Sequence, residues 1–169
     1  MRILTIKNKK DEAYLRTPVS PLDFAKENMK ELRELVREMR RVMLAAPGVG
    51  LSANQVGVSK RLFVAQVPDS KGRSKFYAIL NPVLTKISKE VSTLQEGCLS
   101  IPGVFGEMTR PAKITLEGLN PFGKKIKLKA VGLLARVFQH ELDHLDGVLF
   151  IDKATGIHRV VPDELISKS

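Results

Sequence analysis

Apolar side chains recur along this chain at two spacings, and each spacing marks a different kind of element. Leu32, Leu35, Val36, Met39, Val42 and Met43 follow the period of about 3.6 residues that defines one helix face. Ser20-Pro21, a capping residue followed by proline, is the predicted start of that helix, and Pro47-Gly48 is its predicted end. Short apolar or alternating runs predict strands over 61–67, 76–80 and 83–88. The segments 113–119 and 124–129 alternate polar and apolar side chains. Asn120-Pro121-Phe122-Gly123 joins them as a hairpin turn, and the lysines form the wet face. A second helix is predicted over 132–145. Leu133, Leu134, Val137, Phe138 and Leu142 make it apolar over much of its surface, which predicts burial, and Gly147 suits its stop. Val148 to Ile151 is a short apolar run, predicted as an edge strand. Together these elements predict an α+β fold, with antiparallel or mixed β-sheets packed around a buried central helix.

Composition narrows the class. At 169 residues the chain is expected to form a single domain, 1–169, with a short C-terminal tail from about residue 153. No apolar run approaches the ~20 residues needed to span a bilayer. Met1 to Lys7 lacks the apolar core of a signal peptide. No membrane association is expected, and a cytoplasmic location is; an organellar or viral source would look the same. The one cysteine, Cys98, rules out an intrachain disulfide and leaves a thiol for chemistry. The net charge of +10 suits either a well-solvated basic surface or an anionic neighbour such as a large ribonucleoprotein. The basic residues are scattered and lack interleaved aromatics, so recognition of a nucleic-acid sequence is not expected. Gly48 and Gly50 let backbone approach another object, but no Lys-Ser/Thr pair follows as in a phosphate-binding loop.

The chemistry concentrates in the second helix, which carries H-E-x-x-H. His140 and His144 lie at i and i+4 on one helix face and can bind one metal ion, with Glu141 placed to take a proton from water. Histidine, glutamate, aspartate and histidine buried in so apolar a helix would be costly without such a role. A catalytic metal site takes three protein ligands, so a third is required. A histidine six residues after His144 would complete one known pattern, but that position is Phe150. Glu164 lies at a tolerable distance in a polar tail. Cys98, in Glu96-Gly97-Cys98-Leu99-Ser100, is the upstream candidate; a lone cysteine is usually a small buried hydrophobe, but beside H-E-x-x-H it becomes the stronger of the two. Asp143 is a candidate for orienting a ligating histidine. His158 reads as an exposed tail residue.

Gly48-Val49-Gly50-Leu51-Ser52-Ala53-Asn54-Gln55, then Glu96 to Ser100, then Gln139 to His144 stand in the order and approximate spacing of three peptide deformylase motifs. From about Asp11 to Asp152 the chain resembles that family. The resemblance implies removal of the formyl group from N-terminal formyl-methionine of nascent polypeptides. It implies Cys98, His140 and His144 as metal ligands and Glu141 as general base on the bound water. The Gln55 amide and the Leu99 backbone N–H would stabilise the oxyanion, and the Gly50 backbone would hold the peptide. Val49, Leu133 and Val137 match the methionine pocket. The implied cofactor is one divalent ion, Fe(II) by family habit, with Zn(II), Ni(II) or Co(II) as substitutes. The implied partners are a formyl-methionyl peptide and the ribosome. Two positions depart from the family pattern: Ser52 replaces a usual alanine, and Phe105 replaces an arginine that contacts peptide in many members. Lys153, Arg159 and Lys168 are a thin counterpart to the long basic C-terminal helix of some members. Two competing hypotheses are a peptidase using Glu164 and a metal-binding protein without turnover; Glu141 and Gln55 argue against the second.

Overall fold

A computed structural model describes residues 1–69 and 71–160; Glu164 and Lys168 lie outside the described residues. Among the described residues there are three α-helices and eight strands. The helices are α1 (Lys9–Leu15), α2 (Met29–Ala45) and α3 (Gly132–Leu145). The strands are β1 (Gly50–Ser52), β2 (Leu62–Pro68), β3 (Ser74–Ile87), β4 (Val91–Cys98), β5 (Ile101–Pro111), β6 (Lys113–Leu119), β7 (Lys125–Val131) and β8 (Thr155–Arg159). They form a five-stranded sheet in the order β1-β2-β3-β6-β7 and a three-stranded sheet in the order β4-β5-β8, antiparallel throughout. The α+β class expected from the patterning is the class found. No described helix is long and apolar enough to cross a membrane.

Within the five-stranded sheet β2 is buried on both faces, which explains its near-continuous apolar run. In β2, Phe63, Ala65 and Val67 pack against Phe138 and Leu142 of α3, whereas Leu62 and Val64 face Leu32, Val36, Met39 and Met43 of α2. Phe63, Phe138 and Tyr77 meet through ring centroids 5.4 and 5.3 Å apart. A third cluster joins Leu15 of α1 to Ile101 of β5, Leu149 and Phe150. It ties the smaller sheet to the rest.

Several boundaries differ from the expectations. The helix expected from Ser20-Pro21 begins at Met29, where Asn28 caps it by accepting from the Lys30 and Glu31 N–H groups. Upstream, the Asn81 side chain bonds both the N–H and the carbonyl of Leu22, which pins that segment to β3 and leaves only a single 3-10 turn at Phe24–Lys26. The two strands expected at 76–80 and 83–88 are one strand, interrupted by a register shift between Leu80 and Val83 where Asn81 adopts φ 47°. Val148 to Ile151 is not an edge strand. Phe150–Asp152 is a 3-10 turn, closed by the Leu149 N–H on Asp152, that buries Leu149 and Phe150. The stretch expected as a tail from about residue 153 includes β8 on the edge of the smaller sheet.

Candidate active site

Three segments of unlike character line one cleft of about 490 Å³: the chain around Gly50 together with Gln55, the β4–β5 hairpin, and α3. One turn of α3 separates His140 from His144, whose rings stand 4.9 Å apart. β4 ends at Cys98. One ligand atom from each of Cys98, His140 and His144 lies within 4.8 Å of the others. Cys98 Sγ is 3.1 Å from His144 Nε2. At that distance sulfur and ring nitrogen share a proton or a metal ion between them.

The electrostatics say the same. Burial opposes ionisation of Cys98, but the flanking His144 and His140 pull its pKa well below the usual thiol value. Burial likewise opposes a charged His140, yet the Cys98 sulfur and the Glu96 carboxylate push its pKa up to about 10. The pocket thus stabilises positive charge. A soft sulfur with two imidazoles fits a divalent transition metal, and three protein donors is the count of a catalytic site. His144 Nδ1 is buried without a hydrogen-bond partner among the described residues.

Glu96 holds this cluster in place. It lies two residues before Cys98 in β4, so both side chains share a face. Its Oε2 is 3.0 Å from His140 Nδ1, which leaves Nε2 of that ring for the centre. Arg110 donates to both its oxygens at 2.7 and 3.0 Å, and Arg136 donates to Oε1 at 2.6 Å. Burial raises the Glu96 pKa, but His140 and Arg110 outweigh it and hold the carboxyl at about 2. Asp143, expected near a histidine, instead pairs with Arg110 at 2.8 Å and Lys153 at 2.7 Å. The i, i+2 relation of Glu96 to Cys98 was the signal in the sequence for the residue on His140.

Glu141 and Gln55 are both buried. Burial raises the Glu141 pKa above the usual carboxylate value. The Ser52 hydroxyl lies 2.7 Å from Glu141 Oε2. The Ser52 N–H donates to Gln55 Oε1 at 2.9 Å, which turns Gln55 Nε2 toward Ser100 Oγ at 3.1 Å and Cys98 Sγ at 3.6 Å. Leu99 lies in the two-residue turn between β4 and β5 and lines the cleft, as do Val49, Gly50, Leu133 and Val137. Val49 and Leu133 are half exposed, whereas Val137 is buried. Phe105 also lines the cleft: its ring covers Gly97, where a Cβ would meet it at 2.7 Å, and it stacks on His158. The structure brings Val49, Gly50, Gln55, Cys98, Leu99, Leu133, Val137, His140 and Glu141 to one cleft, with His144 beside Cys98.

The sequence model of the polypeptide deformylase family matches residues 1–160. The chain belongs to the peptide deformylase family. Members of this family depend on a metal and remove the N-formyl group from nascent peptides. The peptide deformylase of Symbiobacterium thermophilum is 48% identical over 132 residues, which cover 78% of this chain and 59% of that protein. That of Halothermothrix orenii is 41% identical over 158 residues, covering 93% and 97%. Among solved structures, a probable peptide deformylase from Synechococcus phage S-SSM7 superposes with a TM-score of 0.80 at 39% identity, covering 90% of this chain and 98% of its own. A class I type b peptide deformylase from Acinetobacter baumannii, with Met-Ala-Ser bound, superposes with a TM-score of 0.81 at 28% identity, covering 90% and 97%.

Proposed function

We propose that this chain hydrolyses the formyl group from N-terminal formyl-methionine, releasing formate, with Cys98, His140 and His144 holding one divalent metal ion. The observation that carries the proposal is the convergence of those three donors within 4.8 Å beside the buried Glu141 and Gln55. A divalent ion held by these three residues would acidify bound water and so supply a nucleophile at neutral pH. Fe(II) is the proposed occupant, with Zn(II), Ni(II) or Co(II) as substitutes; the sulfur and imidazole donors suit each.

Glu141 takes a proton from the attacking water as its oxygen adds to the formyl carbon. Glu141 then passes that proton to the departing amine as the C–N bond breaks. Its raised pKa, caused by burial, makes the Glu141 carboxylate a stronger base than an ordinary one in the first of these steps. Gln55 Nε2 and the Leu99 N–H donate to the oxyanion, each contributing about 3 kcal/mol to the barrier reduction. Gly50 offers its backbone to the peptide. Val49, Leu133 and Val137 form an apolar wall suited to a methionine side chain. Met-Ala-Ser, the peptide bound by the Acinetobacter protein, has the form of a deformylated product. A cytoplasmic location and contact with the ribosome follow from a nascent substrate, and the net charge of +10 suits an RNA-rich surface.

Release of formate from formyl-Met-Ala and of acetate from acetyl-Met-Ala, measured on anaerobically prepared protein, tests reaction and acyl choice together. Turnover of the formyl peptide alone is expected; equal turnover of both, or of neither, sinks the proposal. Cys98→Ala should lose the metal and Glu164→Ala should keep it; the reverse would favour a peptidase using Glu164.

A further inference from the structure

β1 is only three residues long, and its end residues, Gly50 and Ser52, share one face. That face meets the Glu141 carboxylate, with Val137 Cγ1 beside it at Gly50. Ser52 Oγ is fully buried, 2.7 Å from Glu141 Oε2 and 2.9 Å from the Glu141 carbonyl oxygen. A Cβ on Gly50 would stand 2.2 Å from Glu141 Oε1. One carboxylate oxygen is thus held by a hydroxyl donor, and the other occupies space that only glycine leaves open.

We propose that Ser52 is a positioning residue for Glu141: its hydroxyl fixes Oε2 and so presents Oε1 along the Gly50 wall of the cleft. The proposal rests on Glu141 being the proton carrier. The terminal torsion of glutamate is broad and roughly two-fold, so the side chain alone does not choose its carboxylate plane. Among the described residues, Ser52 is the one that donates a hydrogen bond to that carboxylate. With alanine, the residue usual at this position in the family, the plane is free to turn. The competing role is structural: the same hydroxyl on the Glu141 carbonyl would tie β1 to α3 and affect stability alone.

Metal-loaded wild type, Ser52→Ala, Ser52→Thr and Ser52→Cys separate the two through kcat and KM for formyl-Met-Ala, metal content and thermal midpoint. Loss of one oriented hydrogen bond predicts a kcat about fivefold lower in Ser52→Ala, with KM and metal content unchanged. Ser52→Thr, which keeps the hydroxyl, should recover at least half of the loss. Ser52→Cys, which fills the same space with a weak donor, should behave as alanine does and covers the case in which Ser52→Ala folds poorly. In a Glu141→Ala background, Ser52→Ala should leave the residual rate unchanged, because the group it acts through is gone. Unchanged kcat in both Ser52→Ala and Ser52→Cys, a loss that threonine does not restore, or the same loss without Glu141 overturns the positioning role. Full turnover by Glu141→Ala alone overturns the assignment of the proton carrier, and the positioning role with it.

Discussion

In the five-stranded sheet, β2 is buried on both faces and its neighbours meet apolar side chains of α2 and α3. In the three-stranded sheet, β4 exposes most of its length, and Glu96 is its one buried side chain. The larger sheet is held by hydrophobic area, whereas the smaller is held to α3 by buried charge: Glu96, Arg110, Arg136 and, at its margin, Asp143. The smaller sheet also delivers Cys98. Apolar packing tolerates local adjustment, but a carboxylate shared by two guanidiniums and an imidazole fixes direction as well as distance. Stability and ligand geometry are therefore built from different interactions, and substitutions should separate them.

Glu96→Ala has the largest expected effect, because it strikes both. It leaves two buried arginines without their carboxylate, at a cost of about 3–5 kcal/mol in unfolding free energy. It also removes the partner of His140 Nδ1, which should weaken metal affinity about 10–100-fold. Urea denaturation and a competitive chelator titration measure the two. A stable variant with undiminished affinity would show that the charge cluster is incidental. Phe63→Ala, in the middle of the apolar sheet, should cost about 3–5 kcal/mol through the cavity it leaves, yet retain wild-type metal affinity in the folded fraction. Parallel loss of affinity would mean that the two regions are coupled after all.

Acid should act on one region before the other. Burial raises the Glu96 pKa, but His140 and Arg110 depress it from 4.5 to about 2 in the folded protein. A depressed folded value means that this contribution is complete above the unfolded value and disappears as pH falls through the interval from 4.5 to about 2. Denaturation free energies across that range should decline in the wild type. Glu96→Gln should flatten that part of the decline, whereas Phe63→Ala should lower the whole curve without changing its shape. A decline as steep in Glu96→Gln as in the wild type would place the acid-sensitive group elsewhere.

The same division explains what could be read from the chain in advance. Four strands of the large sheet, β2, β3, β6 and β7, and the helix α3 show in the apolar periodicity, and H-E-x-x-H with the Cys98 segment marks the proposed site. β4 and β5 carried no such signal. Ser92, Thr93, Gln95 and Glu96, then Pro102, Gly103 and Gly106, do not alternate cleanly, because this sheet gives only a few side chains, Ile101 and Met108 among them, to apolar packing. The start of α2 was misplaced for a related reason: Asn81, far away in sequence, holds Leu22 extended and overrides the local Ser20-Pro21 signal. In the sequence Ser52 is legible only as a departure from a usual alanine. Its meeting with Glu141, 89 residues away, is a tertiary fact that no local pattern encodes.

The smallest expected effect tests whether charge matters by its presence or by its burial. Glu117 on β6 and Lys127 on β7 form a cross-strand pair at 2.7 Å, as short as the Arg110–Glu96 contact, but their side chains are 42% and 61% exposed where those of Glu96 and Arg110 are 6% and 5%. In water such a pair gains little over its two hydrated ions, so Lys127→Ala should change unfolding free energy by no more than about 1 kcal/mol, less still at high salt. Metal affinity should not change at all. A loss comparable to that of Glu96→Ala would mean that ion pairs stabilise both sheets alike, and the division drawn between them would fail. If the loss stays small, the equal distances and unequal effects locate the difference in desolvation. Arg110 and Glu96 have given up water and depend on each other, while Lys127 and Glu117 have not.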